Sequence, residues 1–164
     1  MSQMELAQEK LCHALRWACV DVYAALADVC HLYPNFEEWY WDKVVPELGV
    51  SRSIFVDWMN ERITGVVIAK RTCDEQKVCT VWVDKGFRAQ GVASSLIGEA
   101  SRWLGTDYPM ITIPQNRLSE FSGILRSGRF AQTQKLASYY RAGETEHVFN
   151  GWLSPYESAR LLNA

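Results

Sequence analysis

A chain of 164 residues can bury one sizeable core, and 48% hydrophobic with 22% charged residues is ordinary globular composition. Seventeen Lys and Arg against nineteen Asp and Glu leave a net charge of −2, so nothing global favours nucleic acid or an anionic membrane as partner. Five cysteines, Cys12, Cys19, Cys30, Cys73 and Cys79, form an odd set without CxxC spacing and read as reduced thiols.

From Met4 to about Tyr33 there is no Gly or Pro, and Leu11, Leu15, Ala18, Val22, Ala25, Leu26 and Val29 recur at helical spacing. The pattern predicts one long amphipathic helix or two abutting ones. Arg16, Asp21 and Asp28 interrupt its most apolar stretch, which excludes a membrane span, and the first ten residues lack the pattern of a secretion signal. The expectation is a cytoplasmic protein. Cys12-His13 and Cys30-His31 suggest zinc, but on one helix 18 residues separate the pairs by about 27 Å, so no metal is expected unless the helix folds back as a hairpin. The apolar stripe needs a partner; packing on a sheet at one end and a homodimer contact at the other would supply it.

Pro34 and Asn35 break the helical run, and FEEWYWDKVVPEL predicts a second short helix that stops near Val45, ahead of Pro46. After Gly49 the pattern changes to strands: SIFVDWM and ITGVVIAK around the polar turn NER, then KVCTVWV. A helix over Val92–Leu104 ends at Gly105, where a left-handed residue belongs. The strand MITI follows, then NRLSEFSGILRSG as a helix, and AQTQKLASYY and EHVFNGWL as two strands around RAGET. The order α α β β β α β α β β predicts an α/β (α+β) domain, a mixed sheet with helices on its faces. No linker or repeat divides residues 1–164, which read as a single domain with a helical part (1–48) and a sheet core (53–153).

Between the third strand and its helix lies VDKGFRAQGVASSL. A strand that enters a helix through such a loop points unpaired N–H groups and the positive end of the helix dipole at one spot, which favours an anion. Gly91 allows close approach, Ala93 keeps the first turn small, Ser94 adds a hydroxyl and Arg88 adds charge. An ordinary turn whose glycine serves backbone geometry is the other reading. Val92 and Ala93 stand where a Walker loop needs Lys and Ser or Thr, and Gly86, Gly91 and Gly98 do not have dinucleotide-fingerprint spacing.

Arg88, Gly91 and Ala93 form R-x-x-G-x-A after an apolar strand and before a helix, and with the elements from Ile54 to Trp152 the chain resembles the GNAT N-acetyltransferase superfamily. The resemblance implies a GNAT fold, a central mixed sheet with a V-shaped splay, flanked by helices and extended here by the N-terminal helix. It implies acetyl-CoA as cosubstrate, with coenzyme A pyrophosphate at Arg88, Ala89, Gln90, Gly91, Val92, Ala93 and Ser94. Backbone groups of Val81, Trp82 and Val83 would hold pantetheine where the family's fourth and fifth strands splay, and Asn116, near the start of the helix after the next strand, would also contact the cofactor. Direct attack by an amine acceptor on the thioester is the implied reaction, aided by a backbone donor to the carbonyl.

Two departures stand out. Relatives often carry a glutamate where Lys77 stands, and the usual acidic tyrosine falls on Ile124 or Leu125. Water, substitute residues, or a catalytically silent coenzyme A binding or interaction module would each account for this. The turn of the last hairpin overhangs the acceptor site in this fold, so Tyr140 is the candidate proton donor and Glu146 the candidate acceptor, with His147 nearby. Each also reads plainly, as a strand aromatic, a solvated carboxylate and a satisfied histidine. The segment YPNFEEWYW lies where relatives contact their acceptor; Glu37 and Glu38 could attract an amine, while Phe36, Trp39 and Tyr40 read mainly as packing. The acceptor, small or macromolecular, is open.

Overall fold

A computed structural model describes residues 3–154, with side chains at 4–5, 15–16 and from 18 onward. These residues form two compact units, divided after Pro46.

In the first unit α1 (Gln3–Ala25) stops at Leu26 and α2 (Ala27–Cys30) resumes, so the long helical pattern resolves as two abutting helices. Its buried stripe is Cys19, Val22, Leu26 and Val29, whereas Leu15 and Ala18 of the predicted stripe are exposed. Cysteine behaves here as a small apolar residue, and the stripe turns by one position to include it. The second predicted helix is α3 (Phe36–Trp39), continued by a π-turn over Tyr40–Val44 that closes with Val45 N–H donating to Tyr40 O at 3.0 Å. Tyr40 is fully buried, and its hydroxyl donates to the Cys19 carbonyl at 2.8 Å. Phe36 and Tyr40 are thus packing residues, while Glu37 and Glu38 are exposed.

The second unit is a six-stranded sheet of β1 (Arg52–Met59), β2 (Arg62–Arg71), β3 (Gln76–Val83), β4 (Met110–Pro114), β5 (Gln132–Ala137) and β6 (Thr145–Phe149), in the order β1-β2-β3-β4-β6-β5. Only β3 and β4 run parallel; every other neighbouring pair is antiparallel. The first hairpin turns on two residues, because Arg62 pairs with Met59; Asn60 and Glu61 both have positive φ, the geometry that matches strand twist in a tight hairpin.

The crossover between β3 and β4 is α4 (Val92–Leu104), bounded by Gly91 at φ +87° and Gly105 at φ +75°. Leu96, Ile97, Ala100 and Leu104 bury one face of α4 against Val67, Ala69, Val78, Val81, Ile111, Ile113 and Phe149. Gly65 makes this approach possible, since a Cβ there would stand 2.6 Å from Val92 Cγ1. The predicted helix after β4 is instead a 3₁₀ turn (Gln115–Arg117), further turns and α5 (Ser122–Leu125). Leu118, Phe121 and Ile124 recur every three residues, a spacing that suits 3₁₀-type turns as well as an α-helix. Ser138 and Asn150, both at positive φ, end β5 and β6 sooner than the apolar pattern predicts.

Candidate active site

β3 and β4 pair at two positions only, Lys77 with Met110 and Val78 with Ile111. The next residue, Cys79, is an extra one in the β2–β3 register, where Ala69 faces Val78 and Ile68 faces Thr80. A bulge bends its strand, and beyond it β3 leaves β4, which stays paired with β6 through Pro114. The result is a V whose vertex lies at Val78 and whose open end lies at Val83. Val81 and Trp82 are buried and Val83 half-buried along this arm. Trp82 Nε1 is buried without a hydrogen-bond partner.

At the open end the chain makes a 3₁₀ turn over Lys85–Phe87, fixed by Asp84 accepting from Gly86 N–H at 2.9 Å, and then enters α4. Ala89 at φ +60° and Gly91 at +87° both adopt left-handed geometry, which curls the loop. No described backbone carbonyl outside the helix accepts from the N–H groups of residues 88–94, so these donors are available at the dipole's positive end. Arg88, Ala89, Gln90, Gly91 and Ser94 are exposed, and Val92 and Ala93 half-buried. Arg88 Nε donates to Val83 O at 3.2 Å, and its Nη1 lies 3.8 Å from Glu120 Oε2, which keeps the cation beside the loop. A Cβ at Gly91 would meet nothing within 4 Å. The arrangement fits an anion such as pyrophosphate.

Asn116 lies in the 3₁₀ turn after β4, exposed and 3.5 Å from Glu144 Oε2. Ile124 and Leu125, where an acidic tyrosine was expected by resemblance, pack on the α4 side of the core. Their chemistry stays apolar.

The other face of the sheet is polar at the V. Directly paired residues share a face, so Lys77, Met110, Pro114 and Glu146 lie opposite α4. The segment after β5 folds over this face: Tyr139 is buried with Met110, Val148 and Leu153, and Tyr140 packs beside them. Lys77 Nζ donates to Tyr140 Oη at 2.9 Å and sits 5.5 Å from the ring centre. Burial opposes the Lys77 charge, yet the Tyr140 oxygen and Cys79 sulfur outweigh it and hold the ammonium above the ordinary lysine value.

Glu146 is 1% exposed, contrary to the solvated face that its charge suggests, and its Oε2 has no hydrogen-bond partner. Burial first, then Glu144, push its carboxyl up to about 7 against the pull of Lys77, Arg141 and Arg117. His147 points to the α4 side, between Gln132 Oε1 (3.0 Å from Nδ1) and Gln115 Oε1 (2.7 Å from Nε2), and burial lowers its pKa. Held by two amides away from Glu146, it matches the satisfied structural histidine. Lys77 was legible only as a departure from a pattern; nothing local links it to Tyr140.

Among the described residues no cluster of His, Cys, Asp or Glu could hold a metal, and no helix is long and apolar enough to cross a membrane. The Cys12-His13 pair lies outside the described side chains.

The chain matches no protein-family model and no curated protein sequence. Its fold has clear solved counterparts. A Desulfovibrio desulfuricans protein described as a GNAT-family acetyltransferase superposes with a TM-score of 0.64 at 14% identity, covering 80% of this chain and 89% of that one. Arabidopsis thaliana NAA60, solved with acetyl-CoA, gives 0.55 at 17% identity over 71% and 83% of the two chains. The Escherichia coli ribosomal-protein-S18-alanine N-acetyltransferase gives 0.53 at 14% over 67% and 76%. The fold is that of the GNAT acetyltransferases.

Proposed function

We propose that this chain is an acetyl-CoA-dependent acyltransferase that acetylates an amine by direct attack in a ternary complex. The observation that carries the reading is the V between β3 and β4, opening onto a loop and helix start whose N–H groups are unspent. From Val83 back to Cys79 the arm is four residues, about 13 Å, so an extended cofactor anchored at the loop brings its acyl end toward the vertex. Arg88–Ser94 would hold the pyrophosphate, and the backbone of Val81, Trp82 and Val83 the pantetheine. Asn116 would stand on the far side of the V.

Glu146, opposite Pro114 on the β4–β6 arm of the V, would take a proton from the attacking amine, its raised pKa suiting transfer near neutrality. Tyr140 Oη would donate to the departing thiolate, with the Lys77 ammonium bonded to the same oxygen to stabilise the phenolate that results. The N-terminal extension would serve a homodimer contact, and the whole would work in the cytoplasm.

Ile124 and Leu125 at the family's acid position support a second reading, a silent coenzyme A binding module. Titration calorimetry with coenzyme A, followed by mass spectrometry after incubation with acetyl-CoA and a panel of amines, separates the two. The enzyme yields acylated product; the module binds coenzyme A and yields none. Gly91→Val should remove binding, because its side chain would stand in the approach to the N–H groups and a β-branched residue at φ +87° distorts the loop, so affinity is read on the folded fraction. Undiminished affinity in a folded variant would falsify the loop assignment.

A further inference from the structure

Lys77 is the third cation in a row that crosses three strands: Arg52 on β1 faces Lys70 on β2, and Lys70 faces Lys77 on β3. The chain supplies carboxylates to two of them. Arg52 Nε meets Glu47 Oε2 at 2.8 Å, and Lys70 Nζ meets Glu75 Oε2 at 2.7 Å. Lys77 is 9% exposed, yet no carboxylate of the described residues lies within 4.0 Å of it, and its hydrogen-bond partner is the Tyr140 hydroxyl. A buried ammonium without a close counter-ion is costly, and one hydroxyl leaves two of its three N–H donors unused. The complementary shortage lies on the same face. Glu146, more deeply buried, has in Oε2 an acceptor without a donor. A cation short of an anion at the vertex of the V and a carboxylate short of a donor farther along the β4–β6 arm, opposite Pro114, therefore share one face of the sheet.

We propose that Lys77 and Glu146 recognise the acceptor, and that the acceptor carries a carboxylate beside its amine: the carboxylate meets the Lys77 ammonium, and the amine meets Glu146. The inference rests on the acyltransferase reading and narrows its substrate class to amino acids and related amino-carboxylates. Polycationic amines are disfavoured, since they bring a further positive charge to Lys77 and leave it without a counter-ion.

The test uses matched pairs, phenylalanine with phenylalaninamide and glycine with glycinamide, at saturating acetyl-CoA. We expect kcat/KM for the acid to exceed that for the amide by about tenfold or more, the effect of one charge-assisted contact. Lys77→Met should bring the ratio near one through KM for the acid, and Lys77→Arg should restore part of it. A wild-type ratio near one, or a ratio unchanged in both Lys77→Met and Lys77→Gln, overturns the proposal. So does an equal fall in kcat for acid and amide with their kcat/KM ratio unchanged, which leaves Lys77 acting through Tyr140 on the thiolate alone. Binding keeps this separate from turnover: N-acetylphenylalanine and its amide are titrated into the protein with coenzyme A. Equal affinities overturn the carboxylate site, whereas tighter acid binding without any acylated product retains it and overturns the enzyme reading.

Discussion

The Lys77 ammonium donates a 2.9 Å hydrogen bond to Tyr140 Oη, joining the start of β3 to the last hairpin turn, 63 residues later. Together with the packing of Tyr139 on Met110, this bond ties the turn to the vertex of the V. Tyr140→Phe should therefore destabilise the fold by about 1.5–3 kcal/mol, the range for hydrogen bonds to a charged group. Urea denaturation measures it. In a Lys77→Met background the same substitution should cost little, because the ammonium that loses its partner is gone; equal costs in both backgrounds would mean that the bond contributes nothing.

Gly65 controls a second link between fold and site. A Cβ there meets Val92 Cγ1 at 2.6 Å and Leu96 Cδ1 at 2.9 Å, both on the first turns of α4. Gly65→Ala should push the helix outward at a cost of about 1–3 kcal/mol, the usual range for overpacking. Val92 also opens the proposed pyrophosphate cradle, so coenzyme A affinity should fall in the folded fraction as well. Thermal denaturation and calorimetry read the two effects separately, and a variant with unchanged Tm would contradict the packing argument.

How far the sequence carried this structure depends on the range of each interaction. The β-branched runs of β1, β2 and β3 and the glycines that bound α4 act within a few residues, and both Gly91 and Gly105 take the left-handed geometry that their positions suggest. The R-x-x-G-x-A loop falls at the open end of the V for the same reason: strand, loop and helix are consecutive. Cys79 is different. A bulge adds one residue to a ladder, and only the register against β2 reveals which one. Likewise Glu146 looks like a surface carboxylate until β6 is paired on both sides, with Pro114 of β4 and Leu136 of β5 opposite it, a placement that no local pattern encodes.

Glu146 makes the site sensitive to pH, with a sign opposite to that of a salt-bridged carboxylate. Its carboxyl titrates at about 7 in the folded chain against an ordinary 4.5. Below pH 4.5 both folded and unfolded states hold the proton, and the residue makes no difference. Between 4.5 and 7 the unfolded chain releases it while the fold retains it, so stability falls as pH rises, and above 7 the loss is complete. Glu146→Gln removes this liability and should gain on the wild type progressively across that window, by on the order of 1–3 kcal/mol at pH 8. Urea midpoints at pH 4, 6 and 8 check it; a difference that does not change with pH would mean that Glu146 is not held protonated. If Glu146 also accepts the amine proton, the wild-type rate should climb through the same region near pH 7, and that step should disappear from the profile of Glu146→Gln even where the variant is the more stable protein.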